Sequence, residues 1–254
     1  MTDYTTYKAA YDRDGFALVR GFLPPDELGT LTDHVARYIR DIVPTLPDQA
    51  AFYQDKGRPE TLKQLQRMGE YDPFFNDYRH QPRWCDLAQT LIGETAEAGQ
   101  PEWFNKPPNT QHPTPPHQDN FYFNLTPPNV ASVWVAIDPV DDDNGCLRYA
   151  PGSHRGGIRG HQRTAVLGFS QGLADYGEEE RAGEVAVHMQ PGDAVVHHGE
   201  VIHRADPNHS DKRHRQAFAM VFEGVSCRVD EAGRRRYQES VNSQHQGMGL
   251  ETSE

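Results

Sequence analysis

Residues 191–203 read Pro191-Gly192-Asp193-Ala194-Val195-Val196-His197-His198-Gly199-Glu200-Val201-Ile202-His203. Pro-Gly-Asp is a turn, the β-branched run after it is a strand over 193–198, and Gly199 breaks that strand before a second opens over 201–205. The same texture extends outward in both directions. Short runs rich in Val, Phe, Tyr and Trp, set apart by Pro, Gly, Asn and Asp clusters, occur at 102–106, 117–123, 130–138, 145–150, 184–189 and 215–223. Eight short strands without an internal repeat or a Rossmann-like alternation predict a mainly β jelly-roll or barrel.

Upstream of residue 101 the pattern changes. Pro24, Pro25 and Asp26 open a segment in which Leu28, Leu31, Val35, Tyr38 and Ile39 recur at helical spacing. Arg83 to Ile92 reads as another helix stopped by Gly93, and Phe16 to Phe22 as a short strand after the Asp14-Gly15 turn. Pro44 to Gly69 fits neither pattern. The expected organisation is one domain, 1–254, with mostly helical support over 1–100, a barrel core over 101–225 and a C-terminal extension over 226–254. Between strands, His161 to Gly183 is a polar insert with Gly168, Gly172, Gly177 and the acidic run Glu178 to Glu180. Inserts of that length are commonly functional, and this one is expected to act as a lid.

The 254-residue chain holds 25 Lys and Arg against 37 Asp and Glu, a formal charge of -12. That balance opposes binding to phosphate backbones or anionic membranes, so the expected partner is a small molecule and the chain a monomer or homodimer. Arg234, Arg235 and Arg236 read as a solvated face. Cys85, Cys146 and Cys227 form no CxxC pair, and neither an export signal nor a run of about 18 apolar residues is present, which points to a cytoplasmic protein.

Pro115-Pro116-His117-Gln118-Asp119 ends an extended run, and residues two apart on a strand share a face. His117 and Asp119 can therefore reach one ion, with His203 brought alongside by antiparallel closure. Two imidazoles and a carboxylate leave three positions open, which suits Fe(II) binding a chelating co-substrate and O₂ together. An H-x-D pair alone is weak among 13 histidines. Its distance from His203, and the arginines that follow, make the joint pattern specific.

The chain resembles the phytanoyl-CoA dioxygenase family of Fe(II)/2-oxoglutarate oxygenases. The resemblance runs through Asp14 to Phe22, His117-Gln118-Asp119, Asn144-Gly145-Cys146-Leu147, Pro151-Gly152-Ser153-His154, and Gly192-Asp193 to His203, Asn208, Ser210 and Arg215. It implies a double-stranded β-helix with a cupin-like core and an iron enzyme that oxidises a small molecule with release of succinate and CO₂. It also implies an arginine about eleven residues after the distal histidine to hold 2-oxoglutarate. Position 214 is His, flanked by Arg213 and Arg215. Arg215 is favoured because it shares a strand face with Ala217 and Ala219, whereas Arg213 falls in the turn. Asn105 is a further candidate for the oxoglutarate carboxylates. The carboxylate of Asp119 argues against halogenation, which in related enzymes needs a small residue there.

Asn144-Gly145 and Pro151 to His154 read as turn geometry, and His154, His188, His197 and His198 as structural or solvated. Phe121, Tyr122, Phe123, Trp103 and Trp134 are candidate pocket aromatics. Two rival readings stay open: a cupin-like metal oxygenase that does not use 2-oxoglutarate, and a non-catalytic β-barrel binding module.

Overall fold

The computed structural model describes residues 3–164, 171–235 and 237–239. The chain opens with α1 (Thr5–Asp14), which ends at Gly15 in the left-handed conformation, φ +83°. A side chain there is excluded twice over, because a Cβ would lie 2.6 Å from His154 Nδ1. Next come β1 (Phe16–Val19) and α2 (Pro25–Arg37). Pro25 starts α2 without losing a hydrogen bond, Asp26 and Glu27 complement its N-terminal dipole, and Leu31 and Val35 turn inward.

The segment 44–69, unresolved by sequence pattern, forms β2 (Ala51–Tyr53), β3 (Leu62–Leu65) and the start of α3 (Met68–Tyr71). Then follow α4 (Pro73–Tyr78), α5 (Pro82–Ile92) and β4 (Ala96–Ala98). The mostly helical support expected over 1–100 thus carries three strands beyond the one expected at 16–22. β1, β2, β3 and β4 all join the main sheet, since three- and four-residue strands take their stability from pairing rather than from a pattern of their own.

The barrel strands are β5 (Glu102–Lys106), β6 (Thr114–His117), β7 (Leu125–Thr126) beyond a helical turn α6 (Asn120–Phe123), β8 (Val130–Ala136) and β9 (Leu147–Tyr149). After them come β10 (His161–Arg163), β11 (Gln171–Leu173), α7 (Glu178–Ala182), β12 (Val185–Val187), β13 (Ala194–His198), β14 (His203–Ala205), β15 (Arg215–Gly224) and β16 (Arg228–Val229). An eight-stranded sheet runs β1-β13-β8-β15-β5-β3-β2 with β4 also on β15, and a four-stranded sheet runs β12-β9-β14-β6. Every pairing is antiparallel. Two facing antiparallel sheets flanked by helices are the jelly-roll, cupin-like architecture expected.

Strand parity divides the core in two. From the outer face of the large sheet, Phe218, Phe222, Val133 and Trp103 pack under the helices. Phe218 meets Phe75, Tyr78 and Trp84 with ring centroids 5.7–5.8 Å apart, and its loss would cost about 3–5 kcal/mol. From the inner face, Trp134, Val195 and Ala217 pack against Leu147, Tyr149 and Ala205 of the small sheet. The inner layer is looser toward one end, where the cavity lies.

Two local expectations are corrected. Residues 117–123 are not a strand: β6 stops at His117, and Asp119 adopts helical angles (φ -58°, ψ -40°) as the N-cap of α6. Gln118, fully buried, enforces that turn by donating to Gly157 O and Glu200 O and accepting from Arg159 N. The insert 161–183 is not simply a loop. β10 and β11 form a hairpin, Gln171, Gly172 and Leu173 are buried, and α7 follows. Residues 165–170, with Gly168, lie outside the described residues, as do Arg236 and most of the 226–254 extension.

Candidate active site

His117 ends β6 and faces His203 directly across the β6–β14 ladder. The helical turn after His117 swings Asp119 back toward both, so its Oδ1 lies 3.4 Å from His117 Nε2 and 3.5 Å from His203 Nε2. One ligand atom from each of the three residues lies within 4.8 Å of the others, a spacing that fits a single metal ion. The convergence was expected, but it comes from a strand end and a helical turn rather than from alternation along one strand.

The tautomers suit a metal. His117 Nδ1 is 2.8 Å from Pro115 O and His203 Nδ1 is 3.2 Å from Val201 O, so each donates there and leaves Nε2 as an acceptor toward the shared space. Burial, reinforced by the neighbouring His117 and His197, holds His203 well below the ordinary histidine range. Burial alone would raise Asp119, but His203, His117 and His197 outweigh it and hold the carboxyl well below the usual range.

The second oxygen of Asp119 is tied down by residues that sequence reading did not assign to the site. Ser132 Oγ donates to Oδ2 at 2.7 Å and His197 Nε2 at 3.0 Å, while Tyr149 OH donates to His197 Nδ1 at 2.9 Å. These bonds orient the carboxylate and leave Oδ1 free for a metal. The signal available for His197 was parity, because it shares the inner face of β13 with Val195. Its neighbour His198 turns the other way, and His154 and His188 bond to Asp12 O and to Asp142. Asn144 is wholly buried and bonds to Asp141 N, Pro139 O and His214 O. At Gly145 (φ +82°) a Cβ would fall 2.4 Å from Asp206 O, so this pair shapes a turn.

His117, Asp119 and His203 face a cavity of roughly 350 Å³ between the sheets, lined also by His197, Trp134 and Arg215, among others. Arg215 opens β15 and points inward beneath the Trp134 ring, its Cζ 5.2 Å from the centroid. It is buried, burial pushes it down to about 10, and its Nε has no hydrogen-bond partner. Among the described residues no carboxylate pairs with it. Asp138 acts on it only through space, so a buried guanidinium with no carboxylate in hydrogen-bond contact is a fit for a ligand carboxylate.

Arg213 does not reach the cavity. It sits in the turn as expected, but it is spent on Asp141 and Asp143 at 2.8–2.9 Å. Asn105 is also corrected: it lies on the opposite face of β5 and bonds to Leu62 O and His214. Trp103 shares that outer face and belongs to the core beneath the helices. Phe121 stacks on His161 at 3.9 Å and is not among the cavity walls, whereas Tyr122, Phe123 and Trp134 are. Sequence reading missed Phe104, Glu102, Gln64, Gln66, Gln100 and Tyr237. The first two were on a recognised strand and legible by parity; the glutamines and Tyr237 lie on segments that gave no pattern.

A second group, Asp142, Cys146 and His188, also has donor atoms within 4.8 Å of one another. Asp142 is already paired with Arg148 and His188. Burial, with Asp142 adding to it, pushes the Cys146 thiol up to about 12, and its Sγ donates to Asp142 Oδ1.

A jelly-roll bearing two imidazoles and a carboxylate at one end of its cavity is the architecture of the mononuclear non-haem iron enzymes. Within that class the chain belongs to the phytanoyl-CoA dioxygenase (PhyH) family, whose profile matches residues 11–217. A phytanoyl-CoA dioxygenase of Arabidopsis thaliana is 28% identical over 69% of this chain and 64% of its own length, so the chain spans less than two thirds of that relative. The human peroxisomal phytanoyl-CoA dioxygenase is 25% identical over 96% of this chain and 76% of its own. Among solved structures, EvdO2 from Micromonospora carbonacea var. aurantiaca, complexed with 2-oxoglutarate, superposes with a TM-score of 0.72 at 24% identity, over 91% of this chain and 94% of that one. The epimerase SnoN, in complex with Fe3+, alpha ketoglutarate and nogalamycin RO, gives 0.70 at 22%, over 89% and 85%. These two likenesses establish the fold.

Proposed function

We propose that the chain is an Fe(II)- and 2-oxoglutarate-dependent dioxygenase that oxidises a small organic molecule, with succinate and CO₂ as co-products. The observation that carries this reading is the buried guanidinium of Arg215, with an unpartnered Nε and no carboxylate hydrogen-bonded to it, opening into the same cavity as His117, Asp119 and His203. It favours oxoglutarate use over a cupin-like oxygenase without that co-substrate, which has no need of such a residue. Solved structures of the fold that hold iron and oxoglutarate support it.

His117 Nε2, Asp119 Oδ1 and His203 Nε2 would hold the iron, which when bound supplies activation of O₂ and oxidative decarboxylation of the keto acid. The rest is positioning by the protein. Arg215 would receive the distal carboxylate of 2-oxoglutarate in a two-pronged hydrogen bond, with Trp134 fixing the plane of the guanidinium. Ser132 and His197 keep Asp119 from rotating. The apolar inner face around Ala217 and Leu147 limits water near the reacting atoms.

Among the described residues no helix is long and apolar enough to cross a membrane. The cysteines are unpaired, and we place the protein in a reducing compartment such as the cytoplasm, as a monomer or homodimer. An anaerobic titration with Fe(II) and 2-oxoglutarate, followed optically, tests the central reading. A visible charge-transfer band saturating at one equivalent is expected. Iron uptake without a band would favour the oxoglutarate-independent oxygenase, and no stoichiometric uptake the non-catalytic module.

A further inference from the structure

The cavity has an acidic wall that iron and oxoglutarate leave unused. Glu102 projects from the inner face of β5, and its Oε2 accepts a hydrogen bond from Gln64 Nε2 at 3.2 Å. Among the described residues no lysine or arginine pairs with it. It lies in the same cross-sheet row as Ala219 and Trp134, one row from Val221, Ser132 and His197, which carries the partners of Asp119. Ala219, a single methyl between Glu102 and Trp134, leaves that row open. Close by, Gln100 presents a buried Oε1 with no partner, a second acceptor without a donor.

A half-buried carboxylate facing a cavity without a counter-charge is costly, and a ligand cation removes that cost. Phe104, Tyr122, Phe123 and Tyr237 line the same cavity, and aromatic faces attract a desolvated ammonium. Arg215 is the one lysine or arginine among the described cavity residues, so an anionic substrate competes with the co-substrate for it. A net charge of -12 steers cations inward.

We propose that Glu102, backed by Gln64, anchors the substrate, and that the molecule oxidised is a small amine presenting its protonated nitrogen to Glu102. This rests on the oxygenase reading above. Burial, with Asp119 across the cavity adding to it, pushes the Glu102 carboxyl up to about 7, as expected of an acid awaiting its cation.

The test uses the Fe(II)- and oxoglutarate-loaded protein without O₂, with calorimetry against matched probes: propylammonium and benzylammonium, their alcohols, and propionate and benzoate. Each ammonium should bind about tenfold or more tighter than its alcohol, and the carboxylates should bind no better than the alcohols. Glu102→Gln should erase the ammonium preference, Glu102→Asp should keep part of it, and Gln64→Leu should weaken it. Equal binding of ammonium and alcohol by the native protein, or a preference undiminished in Glu102→Gln, overturns the proposal. The charge-transfer band separates the two readings. If it forms in native protein and Glu102→Gln alike, the oxygenase reading stands whatever the probes show; if it never forms, that reading fails, while calorimetry still decides the role of Glu102.

Discussion

Replacing Arg215 with methionine should weaken oxoglutarate binding and at the same time stabilise the metal-free protein. The guanidinium is 5% exposed, its Nε is unpartnered, and burial moves it from 12.5 to about 10. At 1.36 kcal/mol for each pH unit, that displacement corresponds to about 3 kcal/mol against the charged form. A methionine of similar length removes the penalty and keeps contact with Trp134, so a gain of about 1–3 kcal/mol is expected, worth about 2–4 °C in Tm per kcal/mol for a chain of this size. Binding moves the other way. Loss of a buried charged partner costs about 2–5 kcal/mol, or roughly thirtyfold to several thousandfold in the oxoglutarate Kd. Arg213→Ala is the control, since its exposed pairs with Asp141 and Asp143 are worth about 0–1 kcal/mol and touch nothing in the cavity. Calorimetric titration of oxoglutarate and thermal melts of the metal-free variants measure both sides. A larger oxoglutarate defect in Arg213→Ala, or a lower Tm with unchanged affinity in Arg215→Met, would refute the assignment.

Asp119→Ala should lose stoichiometric Fe(II) uptake and all turnover while circular dichroism stays native, since the carboxylate is held by Ser132 and His197 and supports no element of the core; retained turnover would remove Asp119 from the site. The two tryptophans should separate: Trp103→Phe should lower stability by about 1–3 kcal/mol with oxoglutarate affinity intact, and Trp134→Phe should weaken that affinity severalfold with little effect on Tm, an opposite ordering being the adverse result. In metal-free protein the folded-state value of Glu102, raised to about 7 from 4.5, means that the folded chain keeps a proton the unfolded chain has lost. Its contribution is therefore full below about pH 4.5 and lost as pH rises through 7, so Glu102→Gln should gain up to about 3 kcal/mol relative to native between pH 5 and 8. Parallel denaturation midpoints for the two proteins across that range would count against the raised value.

Much of the barrel was legible because its strands carry two independent signals, β-branched composition and turn residues at their ends. The 130–138 and 215–223 runs became β8 and β15 with little change in bounds. The legibility of 117–123 failed for a physical reason. Tyr and Phe favour strands in isolation, but Gln118 is held by three backbone partners and Asn120 bonds both backbone atoms of Leu125, so tertiary hydrogen bonds bend the segment into a helical turn. The wall carrying Gln64 was hidden by the opposite problem. Leu62-Lys63-Gln64-Leu65 has no decisive pattern, and it becomes a strand because β5 offers Phe104 and Trp103 as partners.

Parity along β15 joins fold and chemistry most tightly. Arg215, Ala217, Ala219 and Val221 face the cavity side, while Phe218, Met220 and Phe222 fill the core beneath the helices. A slip of one residue would put phenylalanines into the cavity and a guanidinium into a nest of aromatic rings, so the register that maximises burial is also the one that presents the charge. The two alanines matter as much as the arginine. Large side chains at 217 and 219 would fill the space between Arg215 and the Asp119 end of the cavity, and small ones there sacrifice inner-face packing. The outer aromatic cluster around Phe218 offsets that sacrifice, which lets one strand carry both the firmest part of the core and its deliberate gap.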